Sequence, residues 1–402
     1  MVRGGKNRGV SSASRGSVTV VSRRILLALV VLAAASSATA HHRQTPPVVA
    51  ITTSGEGVLP RFAPASRKAA AFTVDDTIAV VSPFRDPTIP FFSFSSGTNA
   101  SPAISFNGRT VVWDSDADPL GSGAPGRQVL RDPGLDLTQV AIDPTGTSAN
   151  AAVDLLGIYV AFESTADLAG TGNAGARQIF LRSPDGTIAQ ISRGSGSSRN
   201  PSVGTKGRSV VFESTSDPVT GSDTAIEQIW VADLTTGTAQ TVTNGAAPSR
   251  NPSRSSDGRI VVFESRADLA GDGHDATLTQ IFAYDTVSRT FARVTSDAVD
   301  CTAPATIRIG RDWRIAYLCG GTAYFTMLRA NARYRVQTDG GDTTRLVPQA
   351  DAHFMLVATT ANLLDTGTTA THLVYMVNLF KRAPESVPSA VLWFPSQGIP
   401  PL

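Results

Sequence analysis

A short apolar stretch that ends in an acidic residue and a serine occurs four times in this chain. The four copies are Val111-Val112-Trp113-Asp114-Ser115, Val160-Ala161-Phe162-Glu163-Ser164, Val210-Val211-Phe212-Glu213-Ser214 and Val261-Val262-Phe263-Glu264-Ser265. Their aromatic residues are 49, 50 and 51 positions apart. A constant period in this range is typical of an array of repeated supersecondary units.

Two further markers keep the same period. A glutamine followed by two apolar residues recurs at intervals of 50, 50 and 52 residues, as Gln128-Val129-Leu130, Gln178-Ile179-Phe180, Gln228-Ile229-Trp230 and Gln280-Ile281-Phe282. Arg199-Asn200-Pro201-Ser202 returns 51 residues later as Arg250-Asn251-Pro252-Ser253. Three markers with one period define the repeat.

Each repeat predicts four short antiparallel strands joined by glycine-containing turns. In residues 199–248 these strands are Pro201 to Val203, Ser209 to Glu213, Gln228 to Ala232 and Thr238 to Thr243, with turns at Lys206-Gly207-Arg208 and Thr235-Thr236-Gly237. Useful lengths of helical apolar spacing are confined to the leader. The pattern therefore predicts an all-β chain in which each repeat is one blade of a β-propeller.

The repeats resemble the WD40-like, or PD40, β-propeller family, which is best known from the TolB propeller domain. The residues that carry the resemblance are Asn251-Pro252-Ser253, Asp257-Gly258-Arg259, Val261 to Ser265, Gln280-Ile281-Phe282 and Val294-Thr295. Ser164-Thr165-Ala166-Asp167-Leu168 and Ser265-Arg266-Ala267-Asp268-Leu269 look like a secreted bacterial subgroup. The resemblance covers about residues 99 to 380 and implies the fold, whereas propellers serve many functions. Nothing resembles TolB's N-terminal domain, so TolB's partners are not implied.

Six repeats are recognisable from Asn99 onward, and two of them are degenerate. Arg314 to Cys319 aligns with Arg259 to Glu264 at a spacing of 55, and Met355 to Leu363 with His372 to Tyr375 forms the last unit. A hairpin over Ala71 to Val81 stays outside this count. It could close the ring by adding strands to the C-terminal blade, or it could belong to a seventh blade. We predict six blades and keep seven as the alternative.

The first forty residues have the features of a secretory signal peptide. Six basic residues precede the apolar run Ile25 to Ala35, which ends near Ala38-Thr39-Ala40. The apolar run is shorter than a membrane span, which favours cleavage before His41 over an uncleaved anchor. Arg23-Arg24 leaves general and twin-arginine export open. The predicted organisation is a signal peptide (1–40), an N-terminal segment with the hairpin (41–98), the propeller (99–394) and a tail (395–402).

Removal of the leader changes the net charge. The whole chain has 35 basic and 33 acidic residues and a net charge of +2. Cleavage leaves 29 basic residues against the same 33 acids, so the mature chain carries about −4. No basic patch remains to bind nucleic acid. We expect an exported protein, periplasmic or secreted to the extracellular space, with no integral membrane span after cleavage.

Residues with catalytic or metal-binding chemistry are scarce. There is no G-x-S-x-G motif, and the histidines are His41, His42, His274, His353 and His372. His41-His42 could bind copper, but a disordered tail is favoured. Residues 271–275 offer carboxylates to a cation, but a solvated turn is favoured. The acid that ends each second strand is interpreted as a blade-holding group, bonded to backbone donors or to the paired glutamine. No catalytic residue, cofactor or metal site is predicted.

The two cysteines are predicted to form a disulfide. Cys301 stands just before the first strand of the fifth unit and Cys319 ends its second strand. These strands are antiparallel neighbours, so the two positions lie side by side. Export to an oxidising compartment permits the bond. Two buried free thiols are the alternative.

Two classes of function remain for such a chain. The first is a non-catalytic binding or interaction scaffold for a protein, peptide or glycan. The alternative is a hydrolase or lyase that uses one face of the propeller, and a purely structural surface protein is a weaker third. Binding is favoured because the repeat symmetry is broken in the degenerate terminal units, not by converging acids or histidines.

Overall fold

The computed structural model describes residues 48–50, 57–62, 69–81, 92–124, 126–134, 136–142, 146–172, 175–336, 343–348, 354–360, 373–378 and 391–394. The predicted signal peptide, His41-His42, His353, His372 and the predicted tail lie outside these residues. The described chain is almost entirely β, with one 3₁₀ turn at Thr205–Gly207. None of its helices is long and apolar enough to cross a membrane.

The strands form seven antiparallel sheets, numbered here in chain order. Strand β1 (Val48–Ala50) comes first and pairs in the last sheet. Sheet 1 contains β2 (Gly57–Phe62), β3 (Ala70–Val74), β4 (Thr77–Val81) and β5 (Phe92–Phe94). Sheet 2 contains β6 (Asn99–Ile104), β7 (Val111–Ser115), β8 (Gln128–Asp132) and β9 (Thr138–Gln139). Sheet 3 contains β10 (Ser148–Val153), β11 (Val160–Ser164), β12 (Gln178–Arg182) and β13 (Ile188–Gln190).

The remaining sheets continue this order. Sheet 4 contains β14 (Ser198–Val203), β15 (Ser209–Ser216), β16 (Asp223–Asp233) and β17 (Thr238–Thr241). Sheet 5 contains β18 (Ser249–Arg254), β19 (Ile260–Ser265), β20 (Gln280–Asp285) and β21 (Thr290–Arg293). Sheet 6 contains β22 (Cys301–Ile309), β23 (Asp312–Cys319), β24 (Thr322–Met327), β25 (Ala332–Val336) and β29 (Val391–Phe394). Sheet 7 contains β26 (Thr343–Pro348), β27 (Phe354–Thr359), β28 (Leu373–Asn378) and β1.

The predicted all-β propeller with four antiparallel strands per blade is confirmed. Six of the described sheets have four strands, and sheet 6 has a fifth because β29 pairs with the outer strand β25. The described residues therefore form seven sheets. This number corresponds to the seven-blade alternative and not to the six blades that were favoured. The hairpin Ala71 to Val81 falls in β3 and β4, the central pair of sheet 1, so it belongs to a further blade. The C-terminal sheet is completed instead by β1, which pairs with β28.

The sheets follow one another around a closed ring. Each sheet contacts the next in chain order, and β2 of sheet 1 contacts β26 and β27 of sheet 7. Strands β6, β10, β14, β18 and β22, the first strands of sheets 2 to 6, supply the walls of a cavity at the centre of the ring. The residues nearest the axis therefore come from the same repeat position in successive blades.

The apolar side chains of the second strands are buried between neighbouring sheets. Every residue of β11 is buried, because both faces of a blade pack on other blades. Phe162 packs against sheet 2, Phe212 against sheet 3 and Phe263 against sheet 4, each with no exposed surface. The predicted burial of these aromatic residues between blades is confirmed.

A β-bulge interrupts the innermost strand of each of sheets 2 to 6. The register between the first and second strands shifts at Ser101, Asn150, Asn200, Asn251 and Ala303. These residues have φ between 48° and 54°, in the left-handed region. Asparagine tolerates this region better than most residues, which suits three of the five positions. The bulge turns these residues toward the neighbouring blade.

Sheet 6 contains a disulfide between Cys301 and Cys319, the pair that the sequence predicts. The two residues are directly opposed in β22 and β23, with Cα atoms 4.1 Å apart and an S–S distance of 2.02 Å. Cys319 stands where the second strands of sheets 2 to 5 carry an acid. The bond therefore joins the first two strands of a blade that lacks this acid.

Candidate functional site

A cavity of about 340 Å³ lies at the centre of the ring. Its polar lining comes from three asparagines and three serines, Asn150, Asn200, Asn251, Ser101, Ser202 and Ser253. Proline rings and small aliphatic side chains complete the lining. None of the described lining residues carries a charge, so the cavity offers neutral hydrogen-bonding groups and apolar contact.

The three asparagines form a hydrogen-bonded ladder across sheets 3, 4 and 5. The Asn150 Nδ2 donates to Asn200 Oδ1 at 2.9 Å, and the Asn200 Nδ2 donates to Asn251 Oδ1 at 3.0 Å. The next position in the ring is Ala303, whose side chain has no acceptor, so the ladder ends at Asn251. One side of the cavity wall is therefore rich in amide groups, and the adjoining wall is not.

The acids behind the ladder join neighbouring sheets. Glu163 of sheet 3 accepts a bond from Asn150 Nδ2 at 2.9 Å and another from the backbone N–H of Asn200, in sheet 4, at 2.7 Å. Glu213 of sheet 4 repeats the pattern, with Asn200 Nδ2 at 3.0 Å and the Asn251 N–H, in sheet 5, at 2.6 Å. Each carboxylate thus links its own blade to the next.

The first and last of the four second-strand acids also link neighbouring blades. Glu264 accepts from Asn251 Nδ2 at 2.9 Å and from the backbone N–H of Ala303, in sheet 6, at 2.6 Å. Asp114 accepts from the N–H of Asn150, in sheet 3, at 3.3 Å. These bonds agree with the blade-holding interpretation of the acids.

The paired glutamines are not the partners of these acids, contrary to one of the two expected arrangements. Gln178 Nε2 donates to the carbonyls of Gly194 and Gly196 at 2.9 and 3.0 Å. Gln228 Nε2 donates to the carbonyl of Gly245 at 3.0 Å. Gln178 and Gln228 therefore fix the loop that enters the next blade, and the asparagines take the place at the carboxylates.

Burial governs the protonation of two of these acids. Loss of solvent raises the pKa of Glu163, against the opposing effects of the Asn200 N–H, the Asn150 amide and Arg177. Burial likewise raises the pKa of Glu213, which has the Asn251 N–H and the Asn200 amide as donors. Arg177 contacts Glu163 at 3.2 Å. In sheet 4 the position equivalent to Arg177 is occupied by Glu227, so the donors that contact Glu213 are neutral amides.

The long loops after the second strands use their acids internally. The Asp268 carboxylate accepts from the backbone N–H groups of Asp272 and Gly273 at 3.1 and 3.0 Å. Four of residues 271–275 are exposed, in keeping with the expected solvated turn, whereas His274 is buried with its ring 5.7 Å from that of Phe282. Within the described ranges the single group of three potential metal ligands is Asp297 with Cys301 and Cys319, whose sulfurs are joined to each other.

The roles of the asparagines and of the arginine before the third strand are not evident from the sequence. Asn200 and Asn251 were recognised only as part of a repeat marker. Arg127, which pairs with Asp114, and Arg177 had no assigned role. The signal was present, because an arginine precedes the third-strand glutamine in both repeats. Its meaning depends on contacts between strands that are far apart in the chain.

Comparison with known proteins places this architecture among the β-propellers. No family model matches the chain, and no curated protein matches its sequence. TolB from Acinetobacter baumannii is 17% identical over 60% of this chain and 55% of TolB, with a TM-score of 0.41. A putative TolB from Agrobacterium tumefaciens is 16% identical over 60% of this chain and 81% of that one, with a TM-score of 0.43. This chain therefore spans just over half of the A. baumannii protein.

A longer match extends over most of both chains. The β-propeller domain of the Trilobed protease from Pyrococcus furiosus is 8% identical over 80% of this chain and 93% of that domain, with a TM-score of 0.55. The Cps50 (Swd1) β-propeller domain of Myceliophteria thermophila is 11% identical over 81% and 96%, with a TM-score of 0.51. The β-propeller that the repeats predict is thus confirmed at the level of the fold.

Proposed function

We propose that this chain is an exported, non-catalytic binding scaffold whose central cavity receives a protein segment, peptide or glycan. The observation that carries the proposal is the chemistry around the axis. The cavity presents amide, hydroxyl and proline groups, while the four acids nearest to it are engaged in bonds between blades. Neutral polar groups with apolar contact suit recognition of a neutral polar ligand.

Export is supported by the leader and by the disulfide. Residues 1–40 have the three regions of a signal peptide, and the Cys301–Cys319 bond suits an oxidising compartment. We place the protein in the periplasm or outside the cell, with the propeller domain ending near residue 394. The partner is a protein, peptide or glycan, and nucleic acid is disfavoured because the mature chain is slightly acidic.

Blocking the cavity tests this proposal. Ser202 lines the cavity and is half-buried, so Ser202→Trp fills space at the axis. Ser222→Trp, in an exposed loop after β15, is the matched control. Each protein is immobilised and exposed to an envelope or secreted fraction, and the bound protein, peptide and glycan are identified by mass spectrometry. Thermal unfolding of both variants checks that each is folded.

The expected result is a ligand that binds the wild type and Ser222→Trp and is lost from Ser202→Trp. If Ser202→Trp and Ser222→Trp retain the ligand equally, the cavity is not the binding site. Release of a chemically altered ligand would replace the scaffold with the hydrolase or lyase alternative.

A further inference from the structure

The rim of the cavity is defined here as the residues that directly precede the cavity-lining asparagines, together with the residues that precede the third-strand glutamines of the sheet before. Its charge is irregular between sheets 3 and 4. Two repeat positions are compared at each junction between blades. The first is the residue before the third-strand glutamine, and the second is the residue before the bulge asparagine of the following sheet. Between sheets 4 and 5 these positions hold Glu227 and Arg250, which form an ion pair at 2.9 Å. That contact shows that the two positions face each other across the junction of two blades.

At the junction before it, the same two positions hold Arg177 and Arg199. The backbone N–H of Ser198 donates to the carbonyl of Arg177 at 2.8 Å, which brings the two arginines to the same place on the rim. Two cationic residues therefore occupy the positions that hold an anion and a cation at the next junction. The arrangement leaves an excess of positive charge at this junction.

Neither arginine is fully neutralised by the protein. Arg177 bonds Glu163 through one terminal nitrogen at 3.2 Å, and 27% of its side chain is exposed. Arg199 is exposed, and within the described part of the chain its side chain forms no ion pair or hydrogen bond. Glu213 is opposite Arg199 in the strand register, but its oxygens accept bonds from Asn200 and Asn251.

The position of this pair relates it to the cavity. Arg199 directly precedes Asn200, the middle member of the asparagine ladder, which lines the cavity. A ligand that lies along the ladder thus passes close to the arginine pair. Guanidinium groups bind planar and tetrahedral oxyanions through paired N–H donors.

We propose that Arg177 and Arg199 form an oxyanion-binding site at the rim of the central cavity. It takes the carboxylate or phosphate group of a ligand whose neutral part lies against the asparagine ladder. The inference deepens the proposed scaffold function and rests on it for the identity of the ligand, whereas binding of a simple anion can be measured without that ligand.

The test follows the arginine Nε–Hε resonances of the protein from His41 onward by NMR. Inorganic phosphate and acetate are titrated separately at constant ionic strength, because added salt screens charge over about 8–10 Å. The expected result is a saturable shift of the Arg177 and Arg199 resonances. The anion with the higher affinity identifies the ligand group as phosphate or carboxylate.

Two variants with the same change in charge decide the location. Arg199→Gln is expected to weaken anion binding about tenfold, the effect of losing one charge-assisted interaction. Arg250→Gln removes an equivalent rim arginine that is already paired, and it is expected to leave affinity within about twofold. Arg199→Glu places an acid opposite Arg177, the reverse of the Glu227–Arg250 arrangement, and is expected to abolish binding.

Absence of a saturable shift with both anions, or equal losses in Arg199→Gln and Arg250→Gln, would overturn the site. This outcome is distinct from failure of the scaffold proposal. If Arg199→Gln binds phosphate and acetate as tightly as the wild type while Ser202→Trp still loses the captured ligand, the scaffold function stands and the anion site falls.

Discussion

At the scale of single residues, the buried carboxylates near the axis are stabilised by hydrogen-bond donors that the fold holds in place. A buried charge is costly unless it is hydrogen-bonded. Glu163 has an amide, a backbone N–H and a guanidinium, whereas the donors that contact Glu213 are an amide and a backbone N–H. The two acids thus occupy the same repeat position with different amounts of positive charge beside them.

The dependence of stability on pH is expected to change in Glu213→Gln. A carboxyl whose pKa is raised by folding stabilises the protein fully below its unfolded pKa, and this contribution is lost as the pH rises through the folded pKa. The reference value for Glu213 is 4.5, and burial raises the pKa in the folded chain. The contribution of Glu213 to the free energy of unfolding therefore decreases as the pH rises above that value.

Urea unfolding at about pH 5 and about pH 7.5 measures this effect. We expect the wild type to gain more stability than Glu213→Gln when the pH is lowered, because glutamine does not titrate. Ser222→Ala, in the exposed loop after β15, serves as the control and should keep the wild-type dependence. Identical pH dependence in wild type and Glu213→Gln would contradict a raised pKa at this position.

Loss of the disulfide is expected to destabilise the protein by about 3 kcal/mol, from the entropy of the loop it closes. The cysteines are 18 residues apart. Urea unfolding compares the wild type with the double variant Cys301→Ser/Cys319→Ser, and reductant should lower the stability of the wild type alone. Intact-mass analysis after alkylation checks oxidation in the exported protein. Labelling of both cysteines without reductant would show that the bond does not form there.

The sequence predicted the cysteine pair but not the partners of the acids, for a physical reason. Cys301 and Cys319 lie on adjacent strands of one blade, so strand register is enough to bring them together. The bonds of Glu163 and Glu213 cross to the next blade, and they depend on bulges that turn the asparagines. Local patterns define strands and turns, but they do not give the rotation between blades.

At the scale of strands and sheets, each blade depends on its neighbours for burial. Four-stranded sheets have two faces, and in this ring both are covered by other sheets. The repeat in residues 199–248 illustrates how much of this is visible in the sequence. All four strands were predicted there, and β15 and β16 extend further, to Ser216 and from Asp223. The extra pairing joins Ser216 to Asp223 across a register shift.

Phe212→Ala is expected to lower the free energy of unfolding by about 3–5 kcal/mol. Phe212 has no exposed surface and packs in the cluster between sheets 3 and 4. Ser222→Ala, in the exposed loop between β15 and β16, is the control and is expected to change stability by less than about 0.5 kcal/mol. Denaturant titration measures both. Equal losses would mean that the second-strand aromatic is not an interface residue.

At the scale of the whole molecule, the ring is closed by strands from opposite ends of the chain. The terminal blades have weak repeat markers: sheet 1 carries neither the Glu-Ser ending nor the glutamine, and sheet 7 takes its fourth strand from β1. Sequence comparison within the chain therefore identified the blades that keep the markers, and the hairpin could not be assigned. Closure depends on pairing between residues more than 320 positions apart, which no local pattern specifies.

Removal of β1 is expected to loosen sheet 7 specifically. Val48, Val49 and Ala50 pair with Val377, Met376 and Tyr375, so a chain that begins at Thr52 leaves the edge of β28 without its partner. Unpaired amides exchange faster with solvent, and we expect exchange in β28 to increase about tenfold or more. The comparison is a chain that begins at His41, which retains β1. Hydrogen–deuterium exchange with mass spectrometry reports on β28 and, as an internal reference, on β16 in sheet 4. Because each blade contacts only its neighbours, β16 should keep its protection while β28 loses it. If both chains protect β28 equally, ring closure does not depend on β1, and another segment must complete the last blade.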